Sequence, residues 1–155
     1  MFVEQLQAYL RDYGDRIRMP SDLAYRVDGQ RREIPVENLP AEQMFMDVGS
    51  RTIADYEAEI AEARTLFVNG PPGVYEEAQF EDGTRSIWRA VAAARGFSVI
   101  GGGDTVTAAK KFVDLDNIDY VCTAGGAMVR YLSGIKLPLI AAMEKAYERD
   151  ADPAR

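Results

Sequence analysis

The chain contains no histidine, and that absence excludes more chemistry than any single residue suggests. Without imidazole there is no Ser-His-Asp or Cys-His nucleophile, and a zinc site loses its commonest ligand. Cysteine is nearly absent too. The lone Cys122 cannot form an internal disulfide, which fits a reducing cytoplasm. It sits in an apolar run with no basic neighbour to activate it, so it reads as a buried strand residue and not as a nucleophile. Basic residues are in deficit: 18 Lys and Arg against 25 Asp and Glu give a formal charge of −7. That is the wrong balance for a general nucleic-acid binder, although it leaves room for a local basic pocket. No apolar run is long enough to cross a bilayer and no leader pattern is visible, so the expectation is a cytoplasmic protein with neither membrane nor nucleic acid as partner.

What is present is a chain of 155 residues, 47% hydrophobic, long enough for one domain with a real core. Its organising stretch runs from Phe97 to Ala109. The apolar run Phe97-Ser98-Val99-Ile100 reads as a buried strand, followed by Gly101-Gly102-Gly103, then Asp104 and Thr105, then an Ala-rich helix. Glycines let the backbone turn sharply and approach a ligand, and bare N–H groups at the start of a helix favour phosphate. Asp104 stands where a carboxylate can hold Mg²⁺ against that phosphate, and Thr105 can cap the helix or donate to a phosphate oxygen. Glycine and aspartate serve equally to turn and cap, and on this stretch alone the two readings stay level. It is not a phosphate loop of the Gly-Lys-Ser/Thr type, nor the dinucleotide fingerprint, whose third glycine is replaced by Val106.

Around it the chain reads in order as follows. Phe2, Leu6, Leu10 and Tyr13 share one helical face, with Gly14 as the stop. Ile17 to Pro20 is a short strand candidate. Leu23–Val27 and Arg32–Val36 flank Asp28-Gly29 and predict a hairpin, read as an antiparallel appendage outside the core. Asn38-Leu39-Pro40 is loop. Met44–Val48 is a strand, and a helix follows with capping-box-like spacing of Thr52 and Asp55 and an apolar stripe of Ile53, Tyr56 and Ile60. Thr65–Val68 is a strand leading into Asn69-Gly70-Pro71-Pro72-Gly73-Val74-Tyr75-Glu76, a stiff loop. Thr84 is the expected cap of the helix carrying Ile87, Trp88, Val91 and Ala94. Tyr120–Thr123 is the last strand, followed by Gly125-Gly126 and a helix, and Leu137-Pro138 opens the final helix before a polar tail from Asp150 to Arg155.

Strands alternating with helices from residue 44 onward predict an α/β fold: a parallel, Rossmann-like sheet with flanking helices plus a small β-hairpin. Ligands in such sheets bind beyond the carboxyl ends of the strands, so the loops at 49–52, 69–76, 101–105 and 123–127 are expected on one rim. The 69–76 loop can wall a flat base, and Glu76 can accept hydrogen bonds from a ribose diol; as a bland alternative it is a structural turn with an exposed acid. Gly125-Gly126 repeats the strand–glycine–helix pattern, for anion binding or for close helix–strand packing. Arg51 is a candidate anion partner or simply exposed, and Lys110 and Lys111 read as surface.

Taken together, Asp47-Val48-Gly49-Ser50-Arg51-Thr52, Asn69 to Glu76, Phe80-Glu81-Asp82-Gly83-Thr84, Gly101 to Thr105, Thr123-Ala124-Gly125-Gly126-Ala127 and Leu137-Pro138 resemble phosphoglycerate kinases, specifically the later part of their nucleotide-binding C-terminal domain. Pro71-Pro72 gives the resemblance an archaeal flavour. The resemblance implies phosphoryl transfer between 1,3-bisphosphoglycerate and ADP with Mg²⁺, chemistry that depends on positioning and charge neutralisation and needs no histidine. It implies that Asn69 lies near the phosphates, that Pro71 and Val74 wall the base and ribose, and that Glu76 holds the ribose hydroxyls. Gly102, Gly103 and Thr105 would hold ATP or ADP phosphates, Asp104 the Mg²⁺, and Gly125 and Gly126 would face the transferring phosphoryl group. Ala124 departs from the family's glycine. The family's chains are more than twice this long, so residues 1–155 are expected to be a single partial nucleotide-binding domain, with 138–149 the helix that in the family packs on the other domain. Phosphoglycerate is then a partner only where the other domain is supplied. The isolated chain is expected to be inactive and to self-associate through an exposed sheet edge; the alternative is a non-catalytic interaction module or one half of a split enzyme.

Overall fold

The computed structural model describes residues 2–39 and 42–150. These form two compact units, one from residues up to Ala58 together with Pro72–Ile87, the other from Glu59–Pro71 and the chain from Trp88 onward. The expectations for Pro40 and for the tail after Asp150 lie outside the described residues.

The first unit is built on a three-stranded antiparallel sheet of order β2-β1-β3: β1 is Asp22–Val27, β2 Gln30–Pro35 and β3 Phe45–Val48. Asp28 (φ 50°) and Gly29 (φ 74°) make the two-residue turn between β1 and β2, both left-handed, which suits the right-handed twist of the flanking strands. The hairpin is as predicted, but it is not an appendage. β1 pairs on its other side with β3 through Leu23↔Val48 and Ala24↔Asp47, which makes it the central strand, and Ala24 is fully buried. The alternation of strand and helix after residue 44 predicts β3 in the parallel sheet; its ladder partner is instead β1. Ile17–Pro20 forms no strand and leads into β1, whose two edges are already taken by β2 and β3. Helix α1, Phe2–Tyr13, ends at Gly14 as expected, yet none of its residues is buried.

Two helices, α2 (Ser50–Glu62) and α3 (Asp82–Ala93), have residues in both units. Along α2 the stripe of Ile53, Tyr56 and Ile60 is half-buried and Glu57, Glu59 and Glu62 face solvent. α3 begins two residues before Thr84, so Thr84 is not its cap; its buried hydroxyl accepts the Gly73 N–H at 3.3 Å.

The second unit carries the parallel sheet, in the order β4-β5-β6: Thr65–Val68, Phe97–Gly101 and Tyr120–Cys122. Ile100 at its centre is fully buried, with Trp88, Val91, Ala108 and Ala109 also in the core. The far end of β5 is tied down by Asp119, whose carboxylate accepts from the Ser98 N–H (2.8 Å) and hydroxyl (2.9 Å). Those two donors hold the Asp119 carboxyl below the usual range. Helix α4 is Gly103–Phe112, α5 is Gly126–Leu132, and α6 is Pro138–Asp150. No helix among the described residues is long and apolar enough to cross a membrane.

Candidate functional site

The carboxyl end of the parallel sheet gathers the 101–105 and 123–127 loops and the start of a third, Asn69 to Pro71. β5 ends at Gly101, and Gly102 turns the chain with φ 104° and ψ 142° to become the N-cap of α4. A side chain is strained at that φ, and it would also lack room. A first carbon on Gly102 would lie 3.3 Å from the Asn69 Nδ2 and 3.5 Å from the Gly125 Cα. The same carbon on Gly125 would lie 3.2 Å from the Gly102 Cα and 3.4 Å from the Asn69 Nδ2. The glycine turns before α4 and α5 therefore touch, with the Asn69 carboxamide beside both. That carboxamide donates to the Gly101 carbonyl at 2.6 Å.

The amides at this lip divide sharply into used and free. The Gly102 N–H is taken by the Cys122 carbonyl (3.0 Å), and the first helical bonds back into the two turns come from Val106 to Gly102 (3.0 Å) and from Val129 to Gly125 (3.1 Å). The N–H groups of Gly103, Asp104 and Thr105, and those of Gly126 and Ala127, precede those bonds and have no intrahelical acceptor. Gly103, Asp104 and Gly126 are exposed. Thr105 is not: it is 2% exposed, lies inside the first turn instead of capping it, and its hydroxyl accepts the Gly70 N–H at 2.7 Å. Gly70, at φ 91°, carries no site role in the sequence, where it reads as a turn glycine of the stiff 69–76 loop.

A third glycine turn shows what the open ones lack. Gly49 precedes α2 as Gly102 precedes α4, but the α2 N-terminus is filled by the protein's own acids. The Asp22 carboxylate accepts from the N–H groups of Arg51 (3.0 Å) and Thr52 (2.8 Å), and Glu33 accepts from the N–H (3.1 Å) and hydroxyl (2.7 Å) of Ser50. Burial pushes both carboxyls up, but these donors outweigh it and hold both below the usual range. Thr52 is thus no local cap: its hydroxyl, 2.6 Å from the Asp22 carboxylate, accepts the N–H groups of Ser21 and Asp22. Arg51 is largely exposed, 3.8 Å from Glu37. The residues 49–52 are occupied internally and follow a strand of the antiparallel sheet.

The 69–76 loop passes from one unit to the other. Asn69, Gly70 and Pro71 belong with the glycine turns; Val74 and Glu76 belong to the first unit. There the Val74 N–H donates to the Met46 carbonyl at 2.7 Å, while the side chain is partly exposed and Glu76 faces solvent. The segment is seated on Asp47, whose carboxylate accepts from the N–H groups of Gly83 and Val48 and from Arg31, each at 2.9 Å, and lies where any side chain on Gly73 or Gly83 would fall. Burial raises the Asp47 carboxyl above its ordinary value in spite of these donors.

Among the described residues no three of His, Cys, Asp and Glu cluster as a metal site. Asp104 is the carboxylate at the open lip, beside free amides. This donor set fits a hard cation that arrives with phosphate oxygens and completes its shell with one carboxylate and water; it does not fit a cage made by the protein alone.

Comparison with known proteins decides the family. A family model for phosphoglycerate kinase matches residues 2–135. The chain belongs to the phosphoglycerate kinase family. A phosphoglycerate kinase from Methanopyrus kandleri is 42% identical over 142 residues, 92% of this chain and 35% of the relative. One from Halorubrum lacusprofundi is 42% identical over 149 residues, 94% of this chain and 37% of the relative. Both relatives are archaeal. Among solved structures, phosphoglycerate kinase from Coxiella burnetii superposes with a TM-score of 0.80 at 33% identity, covering 90% of this chain and 38% of that one. The enzyme from Pyrococcus horikoshii OT3 gives 0.76 at 32%, covering 96% and 39%. The chain thus spans little more than a third of the length of the phosphoglycerate kinases it matches. The match from residue 2 to 135 takes in every glycine turn described above, together with Asn69, Asp104 and the loop to Glu76.

Proposed function

We propose that this chain binds ADP or ATP with Mg²⁺ and serves the nucleotide side of the phosphoryl transfer between 1,3-bisphosphoglycerate and ADP. The observation that carries the reading is the contact of Gly102 with Gly125, which brings two sets of unpaired helix-start amides to one lip beside Asn69 and Asp104. Amides fixed in this way offer an anion partial positive charge with no reorganisation cost. In this reading Gly102 and Gly103 cradle nucleotide phosphates, and Gly125 and Gly126 face the transferring group. Asp104 is the protein's ligand to Mg²⁺, which when bound neutralises phosphate charge. Thr105 acts through its bond to Gly70, holding the start of the loop, Asn69 to Pro71, against the turn. Pro71 and Val74 are assigned to the base and ribose, and Glu76 to the ribose hydroxyls.

The lip offers amides and one acid, and Lys110 and Lys111 lie in the last turn of α4, well away from it. We therefore assign 3-phosphoglycerate binding to parts of the family fold outside these 155 residues, and expect negligible turnover from these residues alone. Titration calorimetry with MgADP tests the nucleotide reading. Binding is expected for the wild type and a loss of about tenfold, or about 1.4 kcal/mol, for Asp104→Ala. Equal affinity in the two proteins would remove Asp104 from the site, and no heat from the wild type would overturn the reading. A coupled assay with wild-type-like turnover would overturn the expectation of inactivity.

A further inference from the structure

We propose that Met128 is a positioning residue for the nucleotide lip, setting the spacing between the two glycine turns; the inference rests on the nucleotide reading above for its functional consequence. Met128 is the third residue of α5, whose first residue is Gly126. A first side-chain carbon on Gly101 would fall on the Met128 Cε and lie 3.7 Å from its Sδ and 3.3 Å from the Ala124 carbonyl oxygen. Gly101 is the last residue of β5 and the neighbour of Gly102. One side chain from α5 thus rests on the strand end that delivers the N-cap of α4.

Besides the Gly102–Gly125 contact beside Asn69, the ties between the turns run from strand to strand: the pairing of Gly101 with Cys122, and the Gly102 N–H donating to the Cys122 carbonyl at 3.0 Å. The strand ties fix β5 against β6, and the Gly102–Gly125 contact marks how closely the start of α5 comes. That approach is set where the thioether meets the glycine. Methionine suits the task, because its unbranched, polarisable side chain fills irregular gaps closely. Gly101 does not have a left-handed φ, so the backbone would accept a side chain there. Glycine at 101 keeps the strand end clear of the Met128 methyl and of the Ala124 carbonyl oxygen, so a side chain there would have to displace the thioether. The far side of Met128 lines an open apolar groove of about 540 Å³ with Leu66, Val99 and Leu137, so a change at 128 is not forced on a fully enclosed core.

The geometry demands compensation. Met128→Ala opens a gap between α5 and β5, Gly101→Ala places a methyl in the space of the Met128 methyl, and the double variant removes one while adding the other. In the full chain, calorimetry with MgADP and amide NMR spectra without ligand read the two consequences. Each single variant is expected to weaken MgADP about tenfold and to move the Gly102, Gly103 and Gly126 amide signals. The double variant is expected to recover most of the affinity and the wild-type signals, and Met128→Leu to retain most of both. A purely structural role would lower Tm and leave the affinity of the folded protein unchanged. Unmoved glycine amides in Met128→Ala, or a double variant no better than Gly101→Ala, would overturn the proposal. If the wild type bound no MgADP while the amides showed the compensation, the nucleotide reading would fall and the positioning would stand.

Discussion

Asp22 and Asp47 are both buried acids of the first unit, and their carboxyl groups move in opposite directions. Asp22 sits at the positive end of α2 with N–H and hydroxyl donors on both oxygens, so its charged form is favoured on folding. A carboxyl lowered in this way adds stability above its unfolded pKa and loses it as pH falls through the folded value. Asp47 works the other way: because burial raises its pKa, its share of stability declines as pH climbs from the unfolded value through the folded one. Asp22→Asn keeps an acceptor for one amide but loses the charge, and about 1 kcal/mol is expected at pH 7, a fall in Tm of about 3 °C. Thermal melts from pH 7 down to pH 3 should show a shallower acid decline in the variant; parallel curves would mean that Asp22 does not carry the linkage. None of this was legible along the chain. Thr52 and Asp55 have the spacing of a local cap, but the real cap comes from a strand 30 residues earlier, and a one-dimensional reading has no access to that contact. The lip residues were legible because Gly102 and Asp104 declare themselves by residue type: the one stands at a φ that glycine tolerates best, the other at a helix start beside free amides.

At the scale of elements, the hairpin of β1 and β2 was readable from two residues, Asp28 and Gly29, since both must adopt left-handed φ in a two-residue turn. Gly29→Ala keeps open space around the new methyl but strains a φ of 74°, and a loss of about 1 kcal/mol is expected from chemical denaturation. A midpoint unchanged from wild type would show that the turn relaxes freely. The position of that hairpin was less readable. Alternation of strand and helix predicts parallel neighbours, and from β4 onward the rule holds. It fails for β3, where β1 offers an apolar partner face, Leu23 against Val48, that the alternation pattern does not encode. Gly102→Ala separates the site from the fold at this same scale. The substitution strains φ 104° and presses toward Gly125, so MgADP affinity is expected to fall by more than tenfold while the β5 core, with Ile100 fully buried, keeps the protein folded. Loss of the folded circular dichroism spectrum in this variant would instead make Gly102 a folding residue.

For the molecule as a whole, the apolar surface left exposed decides behaviour in solution. α1 folds with the predicted boundary, yet Phe2 is 77% exposed and Leu6 61%, with Leu10 and Tyr13 beside them on the same face. In the second unit β4 and β6 each have β5 as ladder partner among the described residues, and Leu139, Met143 and Tyr147 of α6 are exposed as well. Contiguous apolar patches of this kind drive association, and unpaired strand edges offer a second route to it. The chain is therefore expected to sediment as concentration-dependent oligomers. The two routes separate by mutation: Leu6→Glu with Leu10→Glu places charge on the α1 face, while Val121→Lys places it on the β6 edge. If α1 drives association, the first pair shifts the protein to monomer and the second change leaves it associated, at about 1.5–3 kcal/mol for each large apolar side chain kept in water. If Val121→Lys alone dissolves the oligomer, the sheet edge is the contact, and a monomer at every concentration in the wild type would show that neither surface finds a mate.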